Sequence, residues 1–248
     1  MITAAPPRTL NFWHALGLVA GYVLAQFLGG FAVGLSWSFS VGFETALQGG
    51  HVPRGLQLGP GLLAFSVLLG MLVAGAWVWF FSTHYARAFL RDSGPTGVAW
   101  RPAPFRGYGV AVLTALLLIL LVIWVERLYP PDLARLTGPM ERLAHTSGFA
   151  YFLFAVSVVL VAPPLEEFVF RGVAFAAVAR SFGTSAAVVL TTLAFVALHY
   201  ADKIHYWPGF LLVGALGLAA AGLRLRYRSL WPGIVLHCGY NGMVLLLH

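Results

Sequence analysis

Charge is scarce in this sequence, and its scarcity excludes most soluble folds. Only 9% of the 248 residues are charged, whereas 60% are hydrophobic and the mean hydropathy is +0.84. Soluble domains carry about 25% charged residues, so a soluble fold could not hide this much apolar surface from water. The composition therefore predicts an integral membrane protein, for which the lipid bilayer is the solvent.

Cysteine and the signatures of several protease classes are also missing. The single cysteine, Cys238, excludes an intramolecular disulfide and a cysteine-based metal cluster. No His-Glu-x-x-His zinc-ligand pair and no Gly-x-Ser-x-Gly serine motif occur. The three aspartates, Asp92, Asp132 and Asp202, all fall between the apolar runs. Zincin-type, rhomboid-like and intramembrane aspartyl sites are therefore disfavoured.

The apolar residues form long runs that fit membrane-spanning helices. An α-helix needs about 20 apolar residues to cross a hydrocarbon core about 30 Å thick. Because the runs are continuously apolar, they do not show the alternation of a membrane β-barrel. We predict an all-α, polytopic transmembrane helix bundle with about seven or eight helices. The predicted spans are Phe12–Leu35, Pro60–Ser82, Gly107–Val125, Gly148–Ala162, Leu165–Ser181, Thr184–Tyr200, Gly209–Leu223 and Leu230–Leu247.

The basic residues between these runs predict the orientation of the bundle. The positive-inside rule places the Arg87–Arg106 loop in the cytoplasm, with Arg8 on the same side and the loop near Arg54 outside. Eight crossings would put Arg224–Arg228 outside, against the same rule. If Gly148–Ser181 is one long element kinked at its two adjacent prolines, the number of crossings falls to seven. No basic run is dense enough to predict nucleic-acid binding, and the net charge of +7 indicates anchoring at anionic lipid.

Ionisable side chains inside apolar spans are functional candidates, because each costs at least ~2.5–3.5 kcal/mol at the bilayer centre. The apolar segment Pro163–Gly172 contains Glu166, Glu167 and Arg171. On a helix Glu167 and Arg171 have the spacing of an ion pair, while Glu166 points about 100° away. We expect Arg171 to hold Glu167 in place and Glu166 to act as general base on a water. The alternative is an ion-pair cluster that only stabilises helix packing.

Two further polar positions follow along the chain. His199 ends the apolar run that starts near Thr184, and His237 and Asn241 lie one turn apart on one helix face. The latter pair can donate two hydrogen bonds to one point, as stabilisation of an oxyanion requires. The alternatives are a histidine that is hydrogen-bonded in the core or at the interface, and a polar pair that holds two membrane helices together.

The joint order of these motifs is more specific than any one of them. Glu-Glu-x-x-x-Arg, then Phe-x-x-x-His, then His-x-x-x-Asn occur between Glu166 and Asn241. This order resembles the CPBP family of intramembrane proteases, which includes CAAX prenyl endopeptidases and bacteriocin-processing or immunity proteins. The resemblance covers Gly148 to His248, and the N-terminal spans match only in being hydrophobic.

The resemblance implies a role for each matched residue. Water activation falls on Glu166 and His199, oxyanion stabilisation on His237 and Asn241, and a supporting function on Glu167 and Arg171. A zinc ion held by Glu166, His199 and His237 is an alternative, since three protein ligands and a water form the usual catalytic zinc shell. We favour a site without metal or cofactor, because Asn241 beside His237 is better explained as an oxyanion donor.

The predicted function is therefore an intramembrane endopeptidase that cleaves a membrane-anchored protein or peptide. We expect one membrane domain, 1–248, with accessory helices in 1–147 and a catalytic core in 148–248. The composition, rich in alanine, glycine and arginine with a single lysine, indicates a bacterial protein of the inner (cytoplasmic) membrane. The alternative is a non-catalytic membrane module that acts by binding, in bacteriocin immunity or as a secretion scaffold. A transporter is disfavoured, because the double proline has no counterpart in a second half.

Overall fold

The described part of the chain consists of helices and connecting loops. A computed structural model describes residues 10–51, 57–132, 135 and 138–247, and no strand occurs among them. The helices are α1 (Phe12–Leu47), α2 (Pro60–Phe81), α3 (Phe105–Leu128), the short α4 (Pro139–Ala144), α5 (Gly148–Phe182), α6 (Thr184–Leu198), the single turn α7 (Tyr200–Lys203), α8 (Pro208–Tyr227) and α9 (Trp231–Leu247). Helices α1, α2, α3, α5 and α8 are long and apolar enough to cross a membrane, and α6 and α9 are shorter apolar helices. The predicted polytopic helix bundle is confirmed.

Helix α5 joins two of the predicted spans into one continuous element. Pro163 and Pro164 lie near its middle and lack the N–H groups that an α-helix needs. The backbone instead adopts π-helical hydrogen bonding over Ser157–Val161 and Glu167–Ala174, so the chain stays helical on both sides of the prolines. The eight predicted spans become seven apolar helices in the described chain, which is the second of the two predicted counts.

Helix α1 is longer than its sequence predicted. It continues past Leu35 to Leu47, through a segment that contains several hydroxyl side chains. The hydroxyls of Ser36 and Thr45 donate to the carbonyls of the residues four positions earlier, at 2.8 Å and 2.7 Å. Because these hydroxyls are satisfied within the helix, the polar residues do not end it.

The first helix packs directly on α5. Tyr22 of α1 is fully buried, and its ring meets that of Phe170 edge to face, with 6.3 Å between the ring centroids. The indole N–H of Trp77 in α2 donates to the carbonyl of Leu18 at 3.1 Å. The N-terminal helices therefore share one buried core with the C-terminal half.

The loop between α2 and α3 packs against the turn between α8 and α9. The backbone N–H of Leu230 donates to the carbonyl of Ala99 at 3.1 Å. The guanidinium of Arg224 donates to the carbonyl of Gly97 and lies 4.0 Å from the ring centroid of Phe175. We name this end of the bundle the arginine end.

The arginine end explains why seven crossings agree with the positive-inside rule. With α5 as one helix, Arg224–Arg228 lies at the same end as the Arg87–Arg106 loop. Arg180, near the end of α5, also donates to a carbonyl of that loop, Thr96. Arg8 and Arg54, which entered the orientation prediction, lie outside the described residues.

Helices α1 and α2 cross at a pair of glycines. A Cβ atom on Gly29 would lie 2.6 Å from the Cα of Gly70, and one on Gly70 would lie 2.7 Å from the carbonyl oxygen of Gln26. Both neighbours are backbone atoms, which cannot rotate away. The closest approach of the two helices therefore requires residues without a side chain, as is common between membrane helices.

This crossing yields a stability prediction. Gly70→Ala should lower the free energy of unfolding in detergent by about 1–3 kcal/mol, because the added methyl group forces the two backbones apart. Gly61→Ala, on the same helix with nothing within 4 Å of its added Cβ, is the matched control and should not destabilise the protein. Equal unfolding midpoints for the two variants would show that the crossing is not tight.

Candidate active site

The two adjacent glutamates of α5 point to different surroundings. Glu166 lines a cavity of about 520 Å³. Glu167 points away from it, and its Oε1 lies 3.1 Å from Nη1 of Arg171, with both side chains at most 1% exposed. The ion pair expected from the sequence spacing is therefore present, and it lies behind Glu166 instead of in the cavity.

Small residues on two other helices make room for this buried pair. A Cβ on Gly217 of α8 would lie 2.8 Å from Nη2 of Arg171, and one on Gly233 of α9 would lie 3.0 Å from Oε2 of Glu167. The Arg171 guanidinium also stacks over Phe195 of α6, 4.0 Å from its ring centroid. Three helices therefore enclose a charge pair that water does not reach.

His237 of α9 lies between the two glutamates. Its Nδ1 is 3.1 Å from Oε1 of Glu167, and its Nε2 is 3.8 Å from Oε2 of Glu166. An ionised carboxylate can only accept a hydrogen bond, so Nδ1 donates its proton to Glu167. This bond fixes the ring and turns Nε2 toward Glu166.

His199 follows directly after α6 and lines the same cavity as Glu166. Its Nδ1 donates to the carbonyl of Phe195 at 2.9 Å, which leaves Nε2 for other partners. Helix α6 has 15 residues and is about 22 Å long, shorter than the hydrocarbon core of about 30 Å.

Asn241 lines the cavity as well, one helical turn after His237. Its amide nitrogen donates to the carbonyl of Val158 at 2.8 Å, which joins α9 to the first π-helical segment of α5. The amide has a second N–H that this bond does not use. His237 and Asn241 thus each use one N–H group in a hydrogen bond within the protein. Nε2 of His237 and the second amide N–H of Asn241 are not used in these bonds.

The structure adds cavity residues that no sequence motif predicted. Gln26 of α1 and Ser66 of α2 line the same cavity, as do Glu126, Asp202 and Tyr206 at its outer part. Gln26 carried a signal that could have identified it, since its amide interrupts an otherwise apolar run. The other four look like ordinary small polar or interfacial residues in the sequence.

The described residues do not fit the zinc alternative. No group of three His, Cys, Asp or Glu side chains within the described ranges is placed to hold a metal ion. The proposed ligands Glu166, His199 and His237 do not form such a set.

The buried pair yields a second stability prediction. Arg171→Met should cost about 3–5 kcal/mol of unfolding free energy, because it leaves the Glu167 charge buried without its partner. The double variant Glu167→Gln with Arg171→Met should be more stable than Arg171→Met alone, since it removes both charges. Arg91→Met, at an exposed position, is the control, and denaturation in detergent is the measurement. A double variant less stable than the single one would contradict this account of the pair.

The comparison with protein families agrees with the motif order. Residues 148–243 match the family model described as type II CAAX prenyl endopeptidase Rce1-like. The matched segment contains all the site residues from Glu166 to Asn241. No curated protein and no solved structure matches this chain. The Rce1-like match over residues 148–243 supports a CAAX-type protease domain in this part of the chain, similar to the CPBP family of intramembrane proteases.

Proposed function

We propose that this protein hydrolyses a peptide bond of a membrane-anchored protein or peptide, using a water activated by Glu166 and His199. The observation that carries the proposal is the shared cavity: Glu166, His199 and Asn241 come from separate parts of the chain and line one space of about 520 Å³. That volume falls in the range of ligand pockets, about 300–1,000 Å³. The protein acts in the inner (cytoplasmic) membrane of a bacterium.

The first chemical step is the attack of water on the carbonyl carbon. Glu166 takes a proton from the water as its oxygen forms a bond to that carbon, and Nε2 of His199 orients the water by a hydrogen bond. The carbonyl oxygen becomes a negatively charged oxyanion. Glu166 is suited to this role because its carboxylate faces the cavity while that of Glu167 does not.

The oxyanion is stabilised by two side chains of α9. Nε2–H of His237 and the second N–H of Asn241 donate to it, and such preorganised donors lower the barrier most in a site that excludes water. Glu167 holds the His237 ring through Nδ1, while Arg171 holds Glu167. When the C–N bond breaks, Glu166 returns its proton to the leaving amine, and a carboxylic acid and an amine are released.

Access from the lipid fits a membrane-anchored substrate. Phe27 of α1 lines the cavity although 71% of its surface is exposed, so one wall of the cavity reaches the lipid-facing surface. Most other walls are apolar side chains, such as Met71, Val122 and Leu212. In this proposal residues 148–248 form the catalytic core, and the accessory helices in 1–147 complete the wall of the substrate cavity.

Loss of the general base is the direct test. Glu166→Gln preserves the shape of the side chain but cannot accept the proton, so cleavage should fall by at least about 10²-fold. The measurement compares newly formed protein termini in membranes of cells that carry either the unmodified protein or this variant. His199→Ala should give the same loss.

Two variants at matched residue types serve as controls. Glu44→Gln and His84→Ala alter exposed residues away from the cavity, and both should leave cleavage unchanged. If folded Glu166→Gln supports the same cleavage and the same cellular phenotype as the unmodified protein, the hydrolytic role is wrong and a binding role is favoured.

The oxyanion role of Asn241 has its own kinetic signature. With a substrate identified by the comparison above, Asn241→Ala should lower kcat by about 10²–10³-fold with little change in KM, because the lost bond forms mainly in the transition state. Cys238→Ala, at a nearby position on the same helix that does not line the cavity, is the control. An unchanged kcat for Asn241→Ala would remove Asn241 from the mechanism.

A further inference from the structure

The second π-helical segment of α5 directs one backbone carbonyl to a partner outside the helix. In an α-helix the N–H of Phe175 would donate to the carbonyl of Arg171, four residues earlier. Here it donates to the carbonyls of Phe170 and Gly172. The Arg171 carbonyl accepts from the side chain of Arg224 on α8, whose Nε lies 2.6 Å away. Arg224 therefore satisfies a carbonyl that the N–H of Phe175 bypasses.

The guanidinium of Arg224 is itself held by the α2–α3 loop. Its Nη2 donates to the carbonyl of Pro95, at 3.3 Å, and to that of Gly97. Its plane stacks on the ring of Phe175, and the whole residue is only 2% exposed. Because the donors of a guanidinium keep a fixed planar geometry, this one side chain joins the loop, α8 and the π-helical segment.

The same loop covers α5 beside the Arg171 carbonyl. A Cβ on Gly172 would lie 3.1 Å from side-chain atoms of both Val98, in the loop, and Leu230, after α8. Arg171 is 0% exposed, so water does not reach this part of the helix. An unpaired carbonyl is costly in such a place. Without Arg224, the Arg171 carbonyl would remain unpaired unless α5 moved into the α-helical register.

The helical register at this point determines where the two acids face. The side chain of Arg171 holds Glu167, and Glu167 holds the His237 ring. A π-helical turn contains one more residue than an α-helical turn. Loss of that extra residue would rotate the helix before Phe175 by about 100° relative to the helix after it. Glu166 would then leave the cavity.

We propose that Arg224 is a positioning residue of the active site. By binding the Arg171 carbonyl, it keeps α5 in the π-helical register. In that register Glu166 faces the cavity while Glu167 faces its ion-pair partner. Arg224 does not line the cavity, so it acts through α5 and not by contact with the substrate. Its role in catalysis rests on the proposed function, whereas its role in the register does not.

Amide hydrogen exchange of the full-length protein in detergent tests the register. Arg224→Met removes the guanidinium but keeps a long side chain, so peptides that cover Glu167–Ala174 should lose protection, while peptides from α3 should exchange as before. Arg226→Met, at an exposed position on the same helix, is the matched control and should leave the exchange unchanged. Unchanged protection of Glu167–Ala174 in Arg224→Met overturns the inference.

Cleavage per folded molecule tests the catalytic consequence. Arg224→Met should lower kcat by at least about tenfold, because a misplacement of about 1 Å can cost about 10²-fold. KM should stay unchanged, since Arg224 does not line the cavity. A merely structural role would lower the amount of folded protein and leave kcat per folded molecule as it was.

Arg224→Lys keeps the proposal testable if Arg224→Met does not fold. The ammonium retains the charge but lacks the fixed fork that bridges the Arg171 and Gly97 carbonyls. It should therefore fold and still lower kcat at unchanged KM. A folded Arg224→Lys with the kcat of the unmodified protein overturns the positioning role.

The two measurements separate this proposal from the proposed function. If cleavage depends on Glu166 but folded Arg224 variants retain full kcat, only the positioning role is wrong. If no cleavage depends on Glu166, the hydrolysis and the catalytic role of Arg224 both fail. The exchange result then still decides whether Arg224 holds the register of α5.

Discussion

A charge pair that water does not reach underlies the whole site. Glu167 and Arg171 are both buried in the bundle, where an ion pair is tolerated only with good geometry and further contacts. Those contacts are the His237 imidazole on one side and the Phe195 ring on the other. Because the position of His237 depends on Glu167, and that of Glu167 on Arg171, the pair sets the geometry of the ring that faces Glu166.

The double proline in α5 shapes the same region through the backbone. Without two N–H groups, the helix adopts π-helical turns on either side of Pro163 and Pro164, and the second of these segments begins at Glu167. Within this irregular stretch, Glu166 faces the cavity and Glu167 faces Arg171. The two prolines therefore do not break the helix. They lie just before the two glutamates, which face opposite surroundings.

Glycine allows the polar centre to form inside an apolar bundle. Gly217 and Gly233 let two helices approach the ion pair closely, and Gly29 with Gly70 brings α1 against α2 on the other side of the cavity. Since lipid chains are as apolar as leucine, close backbone packing replaces the hydrophobic effect as the force between these helices. The cavity is therefore a gap between tightly packed helices.

Local features of the sequence determined the membrane class, the polar residues of the site and the Glu167–Arg171 pair, because composition and spacing along one helix are short-range properties. The tertiary structure alone decided that His237 contacts both glutamates, residues about 70 positions away, and that Gln26 contributes to their cavity. It also joined two predicted spans into the single helix α5, with π-helical bonding on both sides of Pro163 and Pro164. Contacts between distant segments follow from how whole helices pack, which no local pattern encodes.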